Sequence, residues 1–330
     1  MADKIVVADK LSTNGLALLR ATPGLEVIET VGKPELLKDA MLVASAIIVR
    51  SETKVTAALM EGAPKLRLIA RAGIGTDNID LEEASRRGIP VLTAPGANSN
   101  SAAEHALGLM LAMVRKIPQA AASMAAGKWD RKQFEGSELR GKTLGVLGLG
   151  RIGTMVAKLA LAFGMKVIAF DPFVPPANAL ALGVELLPLD DLLGRADILT
   201  LHLALTGDTR HLLNAERFAR MKKGVLIVNA ARGALIVDAA LVAALESGQV
   251  GAAALDVFEP EPLPADSVLR KAPNLILTPH LGASTKEAQA RVSIEIAESV
   301  RDALVKDELR GCVNLDAVNG RARRGAGAKG

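Results

Sequence analysis

The sequence predicts an α/β protein of two doubly wound parallel-sheet domains, one inserted into the other. The chain has 330 residues, half of them hydrophobic, which is too long for one ordinary core and sufficient for two. Short apolar runs alternate with helical patterns along its whole length, which is typical of parallel α/β folds. The last helical segment is too short to form a domain, so we expect it to pack on the N-terminal one.

The first third of the chain contains four short apolar runs that we interpret as strands. Helical patterns fill the gaps, and Asp80 followed by Glu83 is typical of a helix start. The strands are expected near Ile5–Ala8, Ala46–Val49, Leu66–Ala70 and Val91–Leu92, and helices near Leu11–Arg20 and Leu81–Arg87.

A second α/β series begins at Thr143 and contains six apolar runs. Six strands in this order are typical of a doubly wound, dinucleotide-binding sheet. They are expected near Leu144–Leu147, Lys166–Phe170, Ile198–Leu201, Val225–Val228, Ala252–Leu255 and Leu275–Leu277.

Two capping-box patterns mark the domain boundaries. Ser101 with Glu104, and Ser284 with Glu287, are each predicted to begin a helix. The predicted domains are a discontinuous substrate-binding domain over residues 1–98 and 284–311, an inserted domain over 99–283, and a disordered basic tail over 312–330.

The net charge resides in the C-terminal tail. The formal net charge is +4, and Ala317–Gly330 carries four cations and no anions, so the rest of the chain is near neutral. A near-neutral body with 2% aromatic residues and no tyrosine lacks both an extended field for phosphates and stacking platforms for bases. We therefore expect no nucleic-acid partner.

Composition argues against several other classes of protein. No run approaches the roughly 18 apolar residues of a spanning helix, so no membrane partner is expected. Cys312 is the single cysteine, which excludes intrachain disulfides and a cysteine-rich zinc site. The four histidines are not spaced to bind a metal together. We expect a cytoplasmic protein without a metal.

A glycine-rich turn follows the first strand of the second series. Residues 148–153 (GLGRIG) come directly after the strand and open a helix. Such glycines permit a tight turn and let backbone N–H groups approach a pyrophosphate at the helix N-terminus. Asp171 ends the next strand, where a carboxylate would bind the ribose and repel the 2′-phosphate of NADP. The pattern predicts NAD as the cofactor.

Three polar residues follow strands of this same sheet: Arg232, Glu261 and His280. Because the carboxyl ends of parallel strands meet at one edge, we expect their side chains to lie close together. Hydride transfer at a hydroxy acid needs a cation for the substrate carboxylate and a group that exchanges the hydroxyl proton near working pH. We predict that Arg232 binds the carboxylate, that His280 exchanges the proton, and that Glu261 raises the pKa of His280.

The other three histidines are predicted to have lesser parts. We interpret His105 as a packing or interface residue, His202 as lining the cofactor site, and His211 as a surface residue.

The chain resembles the D-isomer-specific 2-hydroxyacid dehydrogenase family from about Lys4 to Asn314. The resemblance rests on residues 71–78 (RAGIGTDN), 147–153 (LGLGRIG), 229–233 (NAARG), 256–262 (DVFEPEP) and 279–286 (PHLGASTK). It implies an NAD-binding Rossmann domain inserted into a flavodoxin-like substrate domain, and a homodimer formed through the inserted domain. It also implies hydride transfer between NAD and a small 2-hydroxy acid, with the roles given above for Arg232, Glu261 and His280.

The resemblance further implies two sets of binding residues. Substrate contacts are expected from the loop Gly73, Ile74 and Gly75, and from Asn98 and Ser99. Contacts to NAD are expected from Gly148, Gly150, Arg151, Ile152, Gly153, Asp171, Ala230, Ala231, Asp256 and Gly282.

Residues 49–56 (VRSETKVT) and 127–132 (GKWDRK) are similar to the family members that act on 3-phosphoglycerate. A substrate with two anionic ends needs several cations, which Arg50, Arg71 and, from a neighbouring subunit, Arg131 are expected to supply. Solvated surface charge is the alternative interpretation. The longer members continue into a regulatory domain, and we expect a short form without one.

Three functions therefore stay open. The first is oxidation of 3-phosphoglycerate by NAD in serine biosynthesis. The second is reduction of glyoxylate, hydroxypyruvate or another 2-keto acid. The third, from a different class, is an NAD(H)-sensing binding protein of the corepressor type.

Overall fold

A computed structural model describes residues 2–319 of the chain. Its strands are β1 Asp3–Val7, β2 Leu25–Glu29, β3 Ala46–Val49, β4 Leu68–Arg71, β5 Val91–Thr93, β6 Thr143–Leu147, β7 Lys166–Phe170, β8 Glu185–Leu186, β9 Ile198–Leu201, β10 Val225–Asn229, β11 Val250–Leu255 and β12 Leu275–Leu277. Its α-helices are α1 Thr13–Ala21, α2 Pro34–Met41, α3 Ala57–Glu61, α4 Leu81–Arg87, α5 Ser99–Val114, α6 Ile117–Ala125, α7 Arg151–Ala162, α8 Pro176–Ala181, α9 Leu189–Arg195, α10 Ala215–Arg220, α11 Asp238–Glu246 and α12 Lys286–Lys306.

The strands form two parallel sheets in two compact units. Among the described residues, the first unit comprises those up to Asn98 and those from Thr285 to residue 319, and the second comprises Ser99–Ser284. The prediction of two doubly wound parallel-sheet domains is confirmed. Within residues 2–319 no helix is both long and apolar enough to cross a membrane.

The first unit has a five-stranded sheet in the order β2-β1-β3-β4-β5. This is the flavodoxin-like order, which reverses direction between β1 and β3. Successive side chains of β1 and β3 enter cores on opposite faces of the sheet, as in strands covered by helices on both sides. Helix α12 packs on α1, where the Ser12 amide donates to Ser293 Oγ at 3.0 Å.

The second unit has a seven-stranded sheet in the order β12-β11-β10-β9-β6-β7-β8. Counted from β6, this is the dinucleotide-binding order with one additional strand, and it reverses direction between β6 and β9. Ligands of such sheets bind beyond the carboxyl ends of the strands at that reversal. The glycine-rich turn lies there, at the end of β6.

Of the three helix starts predicted from capping residues, the structure confirms one and contradicts two. Asp80 caps α4 as predicted, its side chain accepting from the Glu83 amide at 3.0 Å. The capping box at Ser101 is wrong, because α5 already begins at Ser99. The box at Ser284 is also wrong: Thr285 is the cap of α12, with its hydroxyl accepting from the Ala288 amide at 3.1 Å.

The predicted disordered tail begins too early in the chain. The Val313 amide donates to the Val91 carbonyl at 2.9 Å, and buried Asn314 accepts from the Val91 amide at 2.9 Å. This segment therefore lies along β5, because the exposed edge of that strand offers free backbone groups. The remainder of the predicted tail, from residue 320, lies outside the described residues.

Candidate active site

The glycine-rich turn joins β6 to α7. Gly148 has φ 93°, and a Cβ there would stand 2.8 Å from the backbone of His202, so only glycine fits. Gly150 is the N-cap of α7 and has no side-chain cap, which leaves the first N–H groups of the helix available to an anion. Arg151 and Ile152 begin the helix, with Arg151 exposed.

Asp171 lies directly after β7 and faces this turn. Its Oδ2 accepts from the Leu149 amide at 2.8 Å, and its Oδ1 accepts from the Phe173 amide at 2.9 Å. The carboxylate therefore holds the turn and is only partly buried, so it can still bind a ribose hydroxyl.

His202 lies on the other side of the turn. Its Nε2 is 2.9 Å from Thr200 Oγ1, and burial lowers the pKa of the imidazole to about 4. A neutral ring therefore stands beside Gly148 at physiological pH.

His280 and Glu261 form a hydrogen-bonded pair past the ends of β12 and β11. His280 Nδ1 lies 2.7 Å from Glu261 Oε2, and the Phe258 amide donates to Glu261 Oε1 at 3.0 Å. Both side chains keep more than a third of their surface exposed, so the pair is accessible from solvent.

The pair shifts the protonation of both residues. The hydrogen bond to Glu261 raises the pKa of His280, against the opposing effects of burial and of the positive charge of Arg232. Burial favours the neutral form of Glu261, but the hydrogen bonds from His280 and Phe258 outweigh it and lower the pKa of Glu261. The arrangement therefore favours an imidazolium beside a carboxylate.

Arg232 lies in the turn after β10. The buried side chain of Asn229 hydrogen-bonds to the backbone of this turn. Asn229 is 1% exposed; it accepts from the Ala231 amide at 3.0 Å and donates to the Arg232 carbonyl at 2.9 Å. A Cβ on the next residue, Gly233, would lie 2.2 Å from the Phe258 carbonyl carbon. Glycine thus allows the turn carrying Arg232 to pack directly on the loop carrying Glu261.

Asp256, at the end of β11, holds the segment that carries His280. Its carboxylate accepts from the amides of Leu281 and Gly282, each at 2.8 Å, and from the Thr278 hydroxyl at 2.6 Å. His280 has φ 54°, which is uncommon for a residue other than glycine, and its amide donates to the Asp256 carbonyl at 2.8 Å. Asp256 therefore fixes both the position and the unusual backbone of His280.

His105 completes this network, and the sequence did not indicate its part. Its Nε2 lies 3.1 Å from Asp256 Oδ1. Burial raises the pKa of Asp256, but the hydrogen bonds from His105, Thr278 and Leu281 outweigh it, so the net pKa is lowered. We predicted a packing or interface residue, and the structure instead pairs His105 with a fully buried carboxylate.

Two of the predicted substrate cations lie at the carboxyl edge of the five-stranded sheet. Arg50 follows β3 and Arg71 ends β4, and β3 and β4 are neighbours. Arg71 turns over the loop at residues 73–75, donating from Nη1 to the Ala72 carbonyl at 3.0 Å. Gly73 and Ala72 are buried, whereas Ile74 and Gly75 are partly exposed.

The remaining predicted substrate residues differ in their surroundings. Asn98 Oδ1 and Ser99 Oγ are buried and make no hydrogen bond within the described part of the chain. Buried polar atoms are normally paired, so both are free for a ligand. Arg131 is exposed at the start of a 3-10 turn over Arg131–Phe134.

The structure thus brings Arg232, Glu261 and His280 together within the second unit. The NAD-contact residues predicted from the family lie in that unit as well, around the turns after β6, β7, β10, β11 and β12. Arg50, Arg71, residues 73–75 and Asn98 belong to the first unit.

Comparison with known proteins identifies the second unit. Residues 107–282, more than half of the chain, match the NAD-binding domain of the D-isomer-specific 2-hydroxyacid dehydrogenases. NAD is therefore its cofactor, as predicted from the glycine-rich turn.

Individual relatives extend the similarity to nearly the whole chain. D-3-phosphoglycerate dehydrogenase of Methanocaldococcus jannaschii is 49% identical over 96% of this chain, which spans 60% of that relative's length. A glyoxylate reductase structure from Paecilomyes thermophila is 33% identical with a TM-score of 0.85, covering 94% of this chain and 98% of that one. An NAD-dependent formate dehydrogenase from Staphylococcus aureus in complex with NAD is 30% identical with a TM-score of 0.82, covering 92% of this chain and 96% of the other.

The fold, the glycine-rich turn and these similarities agree with one another. The chain belongs to the D-isomer-specific 2-hydroxyacid dehydrogenase family.

Proposed function

We propose that this protein is a D-3-phosphoglycerate dehydrogenase, which converts 3-phosphoglycerate and NAD to 3-phosphohydroxypyruvate and NADH in serine biosynthesis. The observation that carries the proposal is the 2.7 Å pair of His280 and Glu261 beside Arg232, in the same unit as the NAD turn. Relatives with that activity are about half identical to this chain. A cytoplasmic location stays a prediction of the sequence.

The residues around the glycine-rich turn fit NAD. The uncapped N-terminus of α7 can take a pyrophosphate, and a Cβ on Gly150 would meet no described residue beyond its chain neighbours and its own helix within 4 Å. Asp171 stands where it would bind the ribose and exclude a 2′-phosphate. When bound, NAD supplies the acceptor for the substrate hydride.

His280 carries the proton in this proposal. Its Nδ1 faces Glu261, so Nε2 is the nitrogen left to exchange a proton with the substrate hydroxyl. Oxidation of the hydroxy acid needs a neutral Nε2, and reduction of the keto acid needs the imidazolium that Glu261 favours. Arg232 binds the substrate carboxylate, because two parallel N–H donors match its two oxygens.

The phosphorylated end of the substrate is assigned to the first unit. Arg50 and Arg71 are neighbouring cations at one sheet edge, and the buried unpaired atom of Asn98 in the same unit is available to a substrate oxygen, as is that of Ser99, the first residue of the second unit. Arg131 of a second copy is a further candidate.

The substrate assignment is tested by the rate of NADH oxidation with 3-phosphohydroxypyruvate, hydroxypyruvate and glyoxylate. We expect a large preference for the phosphorylated substrate in kcat/KM. Equal or faster reduction of glyoxylate or hydroxypyruvate would favour the reductase alternative, which the similarity to a glyoxylate reductase supports. Absence of turnover together with tight NADH binding would favour the corepressor-type alternative.

We further propose that the enzyme is a homodimer formed through the NAD-binding unit. Helix α6 is largely apolar and has no buried residue, and nearby Trp129 is 75% exposed. Contiguous apolar surface of this kind is typical of an interface. Arg131 lies two residues after Trp129, which would place it near the second copy.

Light scattering on size-exclusion chromatography tests the dimer. Met124→Glu, on α6, should yield a monomer, whereas Leu180→Glu, at a still more exposed apolar residue on α8, should not. A wild-type monomer would contradict the proposal.

A further inference from the structure

One loop of the first unit is held by side chains from two separate segments. This loop, residues 50–53, follows β3, and Asp9 follows β1. The five-stranded sheet reverses its strand order between β1 and β3, and ligands of such sheets bind beyond the strand ends at that reversal. The loop therefore borders the natural binding crevice of this unit.

Asp9 binds the N–H side of the loop. The residue is 3% exposed, and its Oδ2 accepts from the Arg50 amide at 2.5 Å and the Thr53 amide at 3.2 Å. Its Oδ1 accepts from the Thr53 hydroxyl at 2.6 Å. A buried carboxylate with three donors from one short loop fixes the conformation of that loop.

Asn78 binds the carbonyl side of the same two residues. Its Nδ2 donates to the Arg50 carbonyl at 2.7 Å and to the Thr53 carbonyl at 2.6 Å. Asn78 ends the segment 71–78, which also carries Arg71 and the glycine loop. Its amide group thus ties the loop of Arg50 to the segment of Arg71.

The guanidinium of Arg50, in contrast, donates no hydrogen bond to any described residue. The protein fixes the backbone of Arg50 and leaves its charged group available. Holding a binding residue in place beforehand reduces the entropy lost when a ligand binds.

We propose that Asp9 and Asn78 are positioning residues that determine the preference for a phosphorylated substrate, by fixing Arg50 relative to Arg71. This inference rests on the proposed function, because it assigns the phosphate group of the substrate to those two arginines. The two residues act through the loop backbone and do not touch the substrate.

Asn78→Asp is the sharpest test, because it keeps the shape of the side chain and replaces the nitrogen that donates both hydrogen bonds with an oxygen that faces the two carbonyls. We expect kcat/KM for 3-phosphohydroxypyruvate to fall about tenfold more than kcat/KM for hydroxypyruvate. The Kd of NADH should not change. Thr53→Val removes one hydrogen bond to Asp9, so it should lower the same ratio several-fold while disturbing the fold less.

Asn314→Asp is the matched control. Asn314 is a buried amide of the same unit, with Nδ2 donating to the Ile89 carbonyl at 2.9 Å. This variant should lower the melting temperature and leave the substrate ratio unchanged, since Asn314 does not touch the loop of Arg50.

The outcomes separate this inference from the proposed function. A wild-type enzyme without preference for the phosphorylated substrate overturns both. A wild-type preference that survives unchanged in Asn78→Asp, or in Thr53→Val if the first variant does not fold, overturns the positioning role alone. A parallel fall for both substrates also overturns it.

Discussion

The carboxyl edges of the two sheets are built in different ways. On the seven-stranded sheet polar side chains engage one another, with His280 on Glu261 and with His105 and Thr278 on Asp256, which also accepts from two backbone amides. On the five-stranded sheet Asp9 and Asn78 hold the backbone around Arg50, and its guanidinium is left open. At the edge of the seven-stranded sheet, neighbouring groups set the protonation state of His280. At the edge of the five-stranded sheet, they fix the backbone of Arg50, whose side chain carries the charge.

Under the proposed function, this difference separates the residues that react from those that recognise the substrate. A group that transfers a proton needs neighbours whose charges and hydrogen bonds set its pKa. A group that binds an anion needs its charge free and its position fixed, so its support is better placed on the backbone. Variants on the first edge should therefore change turnover and pH dependence, and variants on the second should change substrate preference.

The largest effect is expected at His280. His280→Asn removes the proton-exchanging group and should lower kcat by roughly 10²–10⁴-fold, with the Kd of NADH from fluorescence titration unchanged. His211→Asn is the control, because His211 is exposed and also has a positive φ, of 55°. Near-normal turnover of the His280 variant would refute the acid–base role.

Glu261→Gln tests whether the edge of the seven-stranded sheet controls the pH dependence of turnover. Loss of a charge-assisted hydrogen bond is worth about 1.5–3 kcal/mol, or roughly 10- to 150-fold in rate. Glu261 raises the pKa of His280, so keto-acid reduction should decline as pH rises through that raised pKa. In the variant this decline should move to lower pH, which a kcat–pH profile measures. An unshifted profile would show that Glu261 does not tune His280.

Arg50→Gln tests the recognition edge. One charge-assisted contact to phosphate should cost about tenfold or more in kcat/KM for 3-phosphohydroxypyruvate, with little change for hydroxypyruvate. Arg67→Gln is the control, since Arg67 precedes β4 and pairs with Asp3 at 2.7 Å. Equal losses for both substrates in the Arg50 variant would contradict the division between the edges.

The smallest effect is expected for cofactor choice. Asp171→Ala should reduce the preference for NADH over NADPH by about tenfold, because the repulsion of a 2′-phosphate is lost. The ratio of kcat/KM for the two cofactors measures this. An unchanged ratio would mean that another group reads the ribose.

The sequence predicted the reacting edge because strand ends are easy to locate. Arg232, Glu261 and His280 each follow an apolar run, and parallel strands place such residues together. The partnership of His105 with Asp256 was not predicted, because it joins α5 to β11 across a long stretch of chain and leaves no local pattern. Asn229 was similarly overlooked, since a buried asparagine at a strand end resembles a simple turn residue.

Strands β2 and β8 were not predicted from the sequence, and each has a local explanation. β2 contains Glu26 and Glu29 and has only partly buried apolar residues, as an edge strand does, so its apolar run is interrupted. β8 has two residues, too few to show the apolar pattern that identifies a strand in a sequence. The central strands are buried on both faces and give continuous apolar runs, which is why they were located.

The packing of Gly233 on Phe258 has a consequence for how this protein can diversify. The residues proposed for proton transfer, His280 and Glu261, lie within residues 99–284 together with Arg232, and the loops of Arg232 and Glu261 meet backbone to backbone at that glycine. If recombination exchanges the flanking segments for those of a relative, the proton-transfer residues should therefore be retained. Only the range of substrates should change. New substrate ranges can arise in this architecture by exchanging one unit, without rebuilding the other.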